Sequence, residues 1–141
     1  MLEMVMSVDD DSMVQMISEI IMSDEDFCDS IVKLEDGKLA LEYFEEQSKL
    51  PLEKQKIPEL VFLDINMPVF NGWDFLNQYD KDFKKFHNRT KIIVLTSGVD
   101  PETEIKAIEH PLIFKYITKP LEHRHIAELK EDPLFNSFLN S

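Results

Sequence analysis

Asp9, Asp10, Asp64, Thr96 and Lys119 each stand at the end of an apolar run, although they are spread over most of the chain. Brought to one place, they have a definite chemistry. Crowded carboxylates repel one another by about 4 kcal/mol per close pair at an intermediate dielectric, so three of them call for a cation. Ligation by oxygen alone, from carboxylates, a backbone carbonyl and retained water, suits Mg²⁺. A hydroxyl and an ammonium on the opposite side suit the remaining oxygens of a transferred phosphoryl group, whose charge fixed donors and metal must hold. Asp64 is then the candidate nucleophile, which becomes an aspartyl-phosphate. The competing reading of Asp64 in isolation is an ordinary loop aspartate.

The elements that would position these residues can be read in order. Leu60 to Leu63 is an apolar run typical of a strand buried on both faces, and it delivers Asp64 to its carboxyl end. Leu2 to Val8 reads as a first strand. From Ser12 to about Met22, Met13, Met16, Ile17, Ile20 and Ile21 recur at helical spacing, and Ser12 with Gln15 predicts a capping box. Ser30 to Leu34 predicts a second strand, and Asp36-Gly37 opens a helix with Leu41 and Phe44 on one side. Residues 48–59 form a long surface connection. Trp73, Leu76, Tyr79, Phe83 and Phe86 predict a third helix with an aromatic core face. Lys91 to Thr96 is a strand, Pro101 to about Glu109 a helix stopped by His110-Pro111, Ile113 to Thr118 a last strand, and Leu121 to Lys130 a last helix. Strand and helix alternate five times, which predicts a doubly wound α/β fold with a parallel sheet and helices on both faces. The acids, the hydroxyl and the lysine then meet at one sheet edge, where such folds bind ligands.

Composition narrows the function classes. A chain of 141 residues suits one domain. The net charge is −13, with 28 acids against 15 bases, which works against direct contact with nucleic acid. Cys28 is the single cysteine and reads as a small apolar filler, so a reducing cytoplasm is the expected compartment. The amino terminus has no basic region followed by a long apolar run, and no stretch has the length to span a membrane. A soluble cytoplasmic protein is expected.

These residues resemble the receiver domain of two-component response regulators. The resemblance rests on Asp9-Asp10 after the first strand, the run Asp64-Ile65-Asn66-Met67-Pro68 with Gly72, Thr96 after the fourth strand and Lys119-Pro120 after the fifth. It covers about residues 2–130, with residues 131–141 as a C-terminal extension beyond a receiver domain of 1–130. It implies a flavodoxin-like five-stranded parallel sheet of order 2-1-3-4-5. It also implies that Asp64 accepts phosphate from a phosphohistidine of a sensor histidine kinase or phosphotransfer protein. Asp10, Asp64 and the backbone carbonyl of Asn66 would bind Mg²⁺, and Asp9 would support it through water. Lys119 would pair with the phosphoryl oxygens, Thr96 would hydrogen-bond them, and Tyr116 would turn inward as the switch aromatic. Output would pass through contacts with an unknown downstream protein, and a homodimer is open. His110-Pro111 departs from the usual Gly-Ala pair, and Gly98 offers no side chain to an attacking water. In the extension, Asp132 and Pro133 can cap a short helix with Phe135 and Phe138 on one side, expected to pack against the body or to be weakly ordered rather than to dock a partner.

Three other readings compete for these residues. A haloacid-dehalogenase-type phosphatase needs a second acid two positions after the nucleophile, and that position is Asn66. A binding module with the same fold that signals without phosphorylation is the second, disfavoured by the intact set Asp9, Asp10, Asp64, Thr96 and Lys119. A calcium loop from Asp64 fails because Pro68 and Val69 occupy positions that need a ligand and a turn glycine. His123 and His125, two apart on a helix, point away from each other and are expected on a solvated face.

Overall fold

The computed structural model describes residues 2–98 and 100–140; the end residues 1 and 141 of the two expected units lie outside it. Its strands are β1 (Leu2–Val8), β2 (Cys28–Leu34), β3 (Leu60–Asp64), β4 (Lys91–Thr96) and β5 (Ile113–Thr118). Its helices are α1 (Ser12–Asp24), α2 (Gly37–Ser48), α3 (Gly72–Asp82), α4 (Pro101–Glu109), α5 (His123–Glu131) and α6 (Pro133–Leu139). All strand pairs are parallel, in the order β2-β1-β3-β4-β5. The chain winds outward from β1 to β2 and then returns across β1 to β3. Asp9 and Asp64 therefore flank the point where the winding direction reverses, which is where open α/β sheets leave a crevice.

Side chains alternate across the sheet and make two cores. On β3, Val61 and Leu63 pack with Phe44, Phe75, Tyr79, Phe83 and Phe86 beneath α2 and α3. Leu60 and Phe62 face the other way, onto Ile21, Met22, Ile126, Leu129 and Phe135 of α1, α5 and α6. All five β3 residues are buried, as a central strand covered on both faces requires.

The structure corrects several local expectations. The N-cap of α1 is Asp11, whose carboxylate accepts the N–H groups of Met13 at 2.9 Å and Val14 at 3.3 Å, so the Ser12–Gln15 capping box does not form. The Gln15 side chain turns inward instead. Gln15, Ser18, Ile21 and Met22 are the buried positions of α1. Its periodic apolar stripe consequently faces outward, with Met13 59%, Met16 50%, Ile17 40% and Ile20 53% exposed. Helical periodicity showed the helix but not which side the sheet would cover.

β2 begins at Cys28, two residues before the expected start, and Cys28 itself is half-buried. α3 stops at Asp82; Phe83 is its C-cap, and Phe86 reaches the core from a separate 3-10 turn, Lys84–Phe86. α5 begins at His123, after Leu121 has already entered the core. His125 does not lie on a solvated face: it is buried, and its Nδ1 accepts the Glu122 N–H at 2.9 Å at the start of α5. His123 is exposed, with Nε2 at 3.2 Å from Asp24 of α1. The short helix of the extension, α6, is capped by Asp132; Phe135 stacks on Phe27 at 6.5 Å and meets Phe138 at 6.1 Å. Among the described residues, no helix is long and apolar enough to cross a membrane.

Candidate functional site

The sheet brings Asp9, Asp10, Asp64, Thr96 and Lys119 to its carboxyl edge, while Tyr116 lies within β5. Asp64 is the last residue of β3, and Asp9 follows β1; each is only 4% exposed. Asp10 is exposed beside them. The three carboxylates each offer an oxygen within 4.8 Å of the others. Lys119 follows β5, and its Nζ lies 2.7 Å from Asp9 Oδ2 and 3.4 Å from Asp64 Oδ2. Its backbone N–H donates to the Thr96 carbonyl at 2.7 Å, which ties the ends of β4 and β5 together beneath the site.

Local hydrogen bonds aim the carboxylates. Asp64 Oδ1 accepts the Asn66 N–H at 3.0 Å, and Asp9 Oδ1 accepts the Asp11 N–H at 2.9 Å. The Gln15 amide nitrogen lies 3.2 Å from the Ser7 carbonyl, 2.9 Å from that of Asp9 and 2.8 Å from that of Leu34. Gln15 thus braces the loop that carries the acidic pair against the ends of β1 and β2. Sequence reasoning missed this role because an amide inside an apolar period carries no signal of its own.

The loop after β3 closes under tight constraint. Gly72 N–H donates to the Ile65 carbonyl at 3.0 Å, and a Cβ at Gly72 would lie 2.7 Å from the Asp64 carbonyl oxygen and 2.8 Å from Ile65 Cα. Phe70 N–H donates to the Pro68 carbonyl at 2.7 Å around Val69, whose φ is 68°. That is a γ-turn of the rare, strained hand. It leaves Val69 97% exposed at the rim.

Thr96, at the end of β4, is buried, and its Oγ1 accepts a hydrogen bond from Asn66 Nδ2 at 3.0 Å. Tyr116 of β5 donates its hydroxyl to the Gly98 carbonyl at 3.2 Å. Gly98 itself borders open space.

Burial, together with the charge of Asp9, holds the Asp64 carboxyl above the usual carboxylate range, against the opposing pull of Lys119 and the Asn66 N–H. Burial pulls the Lys119 ammonium down, but hydrogen bonding to Asp9 and the charges of Asp64 and Asp9 outweigh it, so its pKa is raised. Three carboxylates against one ammonium leave the pocket net negative. Its donors are all oxygen, the set that a hard divalent cation such as Mg²⁺ prefers.

The geometry agrees with the comparisons. The response regulator receiver domain family matches residues 5–130, and the chain belongs to that family. It is a receiver domain of two-component response regulators. Receiver domains are phosphoacceptor switches rather than turnover enzymes, and they bind Mg²⁺ at an acidic pocket. The fold superposes on a two-component response regulator from Cytophaga hutchinsonii with a TM-score of 0.85 and 25% identity, covering 99% of this chain and 98% of that one. A CheY-like response regulator receiver domain protein from Methanospirillum hungatei gives a TM-score of 0.71 at 24% identity, with coverage of 99% and 98%. Among curated relatives, the transcriptional regulatory protein HptR of Staphylococcus aureus is 36% identical over 77 residues, 55% of this chain and 28% of its own length. The sensor histidine kinase CheAY of Helicobacter pylori is 32% identical over 71 residues, 50% of this chain and 8% of its own length. The chain therefore spans well under half of these relatives.

Proposed function

We propose that this chain works as a cytoplasmic response regulator receiver. Asp64 accepts a phosphoryl group from a histidine kinase or phosphotransfer protein, and the signal leaves through protein contacts. The observation that carries this reading is the convergence of Asp9, Asp10, Asp64, Thr96 and Lys119 at one sheet edge, with Asp64 buried and Lys119 within 3.4 Å. In the transfer, a carboxylate oxygen of Asp64 forms a bond to phosphorus as the phosphorus–nitrogen bond breaks, and the electron pair returns to the donor's imidazole ring. Asp10, Asp64 and the Asn66 carbonyl would hold Mg²⁺, with Asp9 behind them. Bound there, the ion would supply charge neutralisation for the phosphoryl oxygens. Lys119 moves its ammonium from Asp9 toward those oxygens, Thr96 donates its hydroxyl proton to one of them, and Tyr116 follows Thr96 inward. Such a step biases a two-state equilibrium only through contacts that differ between the states, and those of Thr96 and Lys119 supply the difference.

A protein donor also fits the surroundings of the site. The exposed stripe of Met13, Met16, Ile17 and Ile20 starts just past the acidic loop, so a partner that presents phosphohistidine to Asp64 meets a contiguous apolar helix face. A turnover phosphatase is not supported, because Asn66 provides an amide where an acid is needed and that amide is committed to Thr96.

The test is intact mass after incubation with a small phosphodonor and Mg²⁺. One acid-stable, base-labile phosphoryl group should be added, and Asp64→Asn should prevent it. No mass change would favour the binding module that signals without phosphorylation.

A further inference from the structure

Among the described residues, the methionines divide by exposure. Met6, Met22 and Met67 are buried, at 0%, 1% and 5% exposed, and Met4 is partly buried with its sulfur 3.3 Å from the Tyr43 hydroxyl. Met13 and Met16 are 59% and 50% exposed. One helical turn apart on α1, they share a face and form the outward stripe with Ile17 and Ile20. Gln15, drawn inward to the carbonyls of Ser7, Asp9 and Leu34, holds the helix in the rotation that leaves both sulfurs in water. The helix does not depend on them, because its N-cap is Asp11 and its buried side is Gln15, Ser18, Ile21 and Met22. The remaining sulfur, that of Cys28, is half-buried; burial and the charge of Asp29 push its thiol up to about 11, so little reactive thiolate is present at neutral pH.

We propose that Met13 and Met16 form an oxidation-sensitive site: peroxide converts their thioethers to sulfoxides, which makes the α1 stripe polar and closes it to a phosphohistidine protein while the chemistry at Asp64 stays intact. This rests on the donor-docking reading of α1 given above. In the step, a lone pair on sulfur attacks one peroxide oxygen, and a sulfur–oxygen bond forms as the oxygen–oxygen bond breaks. The departing hydroxide takes the remaining proton and leaves as water, so sulfur is oxidised by an electron pair and peroxide is reduced by it. Methionine sulfoxide reductases reverse the change. A sulfoxide oxygen is a hydrogen-bond acceptor placed where the partner meets an apolar face, so docking would bury it without a donor. Ile17 and Ile20 have no atom that peroxide attacks, and the sensitivity of the stripe belongs to the two sulfurs.

The experiment treats the full chain with dilute hydrogen peroxide, follows each methionine by peptide mass spectrometry, removes the peroxide and compares two donors in Mg²⁺. One donor is acetyl phosphate. The other is a phosphotransfer protein carrying phosphohistidine, chosen from a panel as the one that best labels the untreated chain. Met13 and Met16 should be converted well before Met6, Met22 and Met67. Transfer from the protein donor should then fall about fivefold or more, as for burial of one unpaired polar group, while labelling by acetyl phosphate stays the same. In the double variant Met13→Leu/Met16→Leu, peroxide should leave transfer at that variant's own starting rate. Transfer that survives conversion of both sulfurs overturns the proposal, as does an equal loss with acetyl phosphate, a loss that persists in the double variant, or conversion of the buried methionines just as fast. If acetyl phosphate does not label the untreated chain, the acceptor reading fails and takes the oxidation site with it. If it does and no protein of the panel transfers, the docking reading fails with the same consequence. If both donors label the chain and oxidation makes no difference, only the oxidation site fails.

Discussion

Lys119 leans on Asp9 rather than on Asp64: its Nζ is 2.7 Å from the first carboxylate and 3.4 Å from the second. The lysine therefore rests beside the phosphoacceptor without closing it, and Asp9 is the residue that keeps it there. All three groups are largely withdrawn from water, so none is screened as a surface pair would be.

Removing the cation should expose this dependence. Lys119→Met leaves two buried carboxylates facing each other, and loss of one partner from a buried pair costs about 3 kcal/mol. Urea unfolding at neutral pH should show that loss, and Mg²⁺ should restore more stability to the variant than to the parent. An unchanged midpoint in the metal-free protein would contradict the arrangement.

The pH dependence has a definite sign. The folded pKa of Asp64 is raised, by burial first and by Asp9 second, so the folded protein holds this proton more tightly than the unfolded chain does. The group's contribution thus favours the fold at low pH and is lost as pH rises from the ordinary carboxylate value through the raised one. Asp9→Asn removes a neighbouring negative charge and frees Lys119 for Asp64, so Asp64 should titrate at lower pH. Carboxyl-carbon NMR of the metal-free protein would follow that midpoint.

Gly72 allows the loop to close on the back of Asp64. A methyl group there would lie 2.7 Å from the Asp64 carbonyl oxygen and 2.8 Å from Ile65 Cα, both backbone atoms with no side-chain freedom to yield. Gly72→Ala should cost about 1–3 kcal/mol through overpacking. It should also slow labelling by a small phosphodonor, because the strain falls on Asp64 itself. Thermal unfolding and labelling rate together check both halves.

Gln15→Leu is a near-isosteric change that removes the amide from three backbone carbonyls. The Leu34 carbonyl keeps the Asp9 N–H at 3.0 Å, so the loss is that of side-chain hydrogen bonds, about 1 kcal/mol. Because one of those carbonyls belongs to Asp9, Mg²⁺ affinity should fall as well. Calorimetric titration with Mg²⁺ below the unfolding temperature separates the two effects, and an unaltered affinity would confine Gln15 to a packing role.

The outward stripe of α1 makes a prediction about the donor. Ile17→Asp and Ile20→Asp alter exposed positions, so unfolding free energy should move by no more than about 0.5 kcal/mol. Transfer from a phosphohistidine protein should fall about tenfold more than labelling by a small phosphodonor, as expected for the loss of one apolar anchor at an interface. Equal losses with the two donors would remove α1 from the docking surface.

Much of this was legible in the chain itself. The apolar run from Leu60 ending in Asp64, the alternation of strand and helix, and the polar residues at the ends of β1, β4 and β5 were enough to specify a parallel sheet with one charged edge. Strand periodicity and strand-end chemistry are local properties, so the residues report them directly. The orientation of α1 was not local: the apolar spacing of Met13, Met16, Ile17 and Ile20 predicts a helix but is silent on its rotation. That rotation was decided by the carbonyls of Ser7, Asp9 and Leu34, which draw Gln15 inward. The burial of His125 and the hydrogen bond from Asn66 to Thr96 were equally out of reach, because each depends on how separate segments approach in space. Local residue chemistry names the groups that arrive at the sheet edge; their partners follow from how distant segments meet, because a hydrogen bond across 30 positions is a matter of distance and angle.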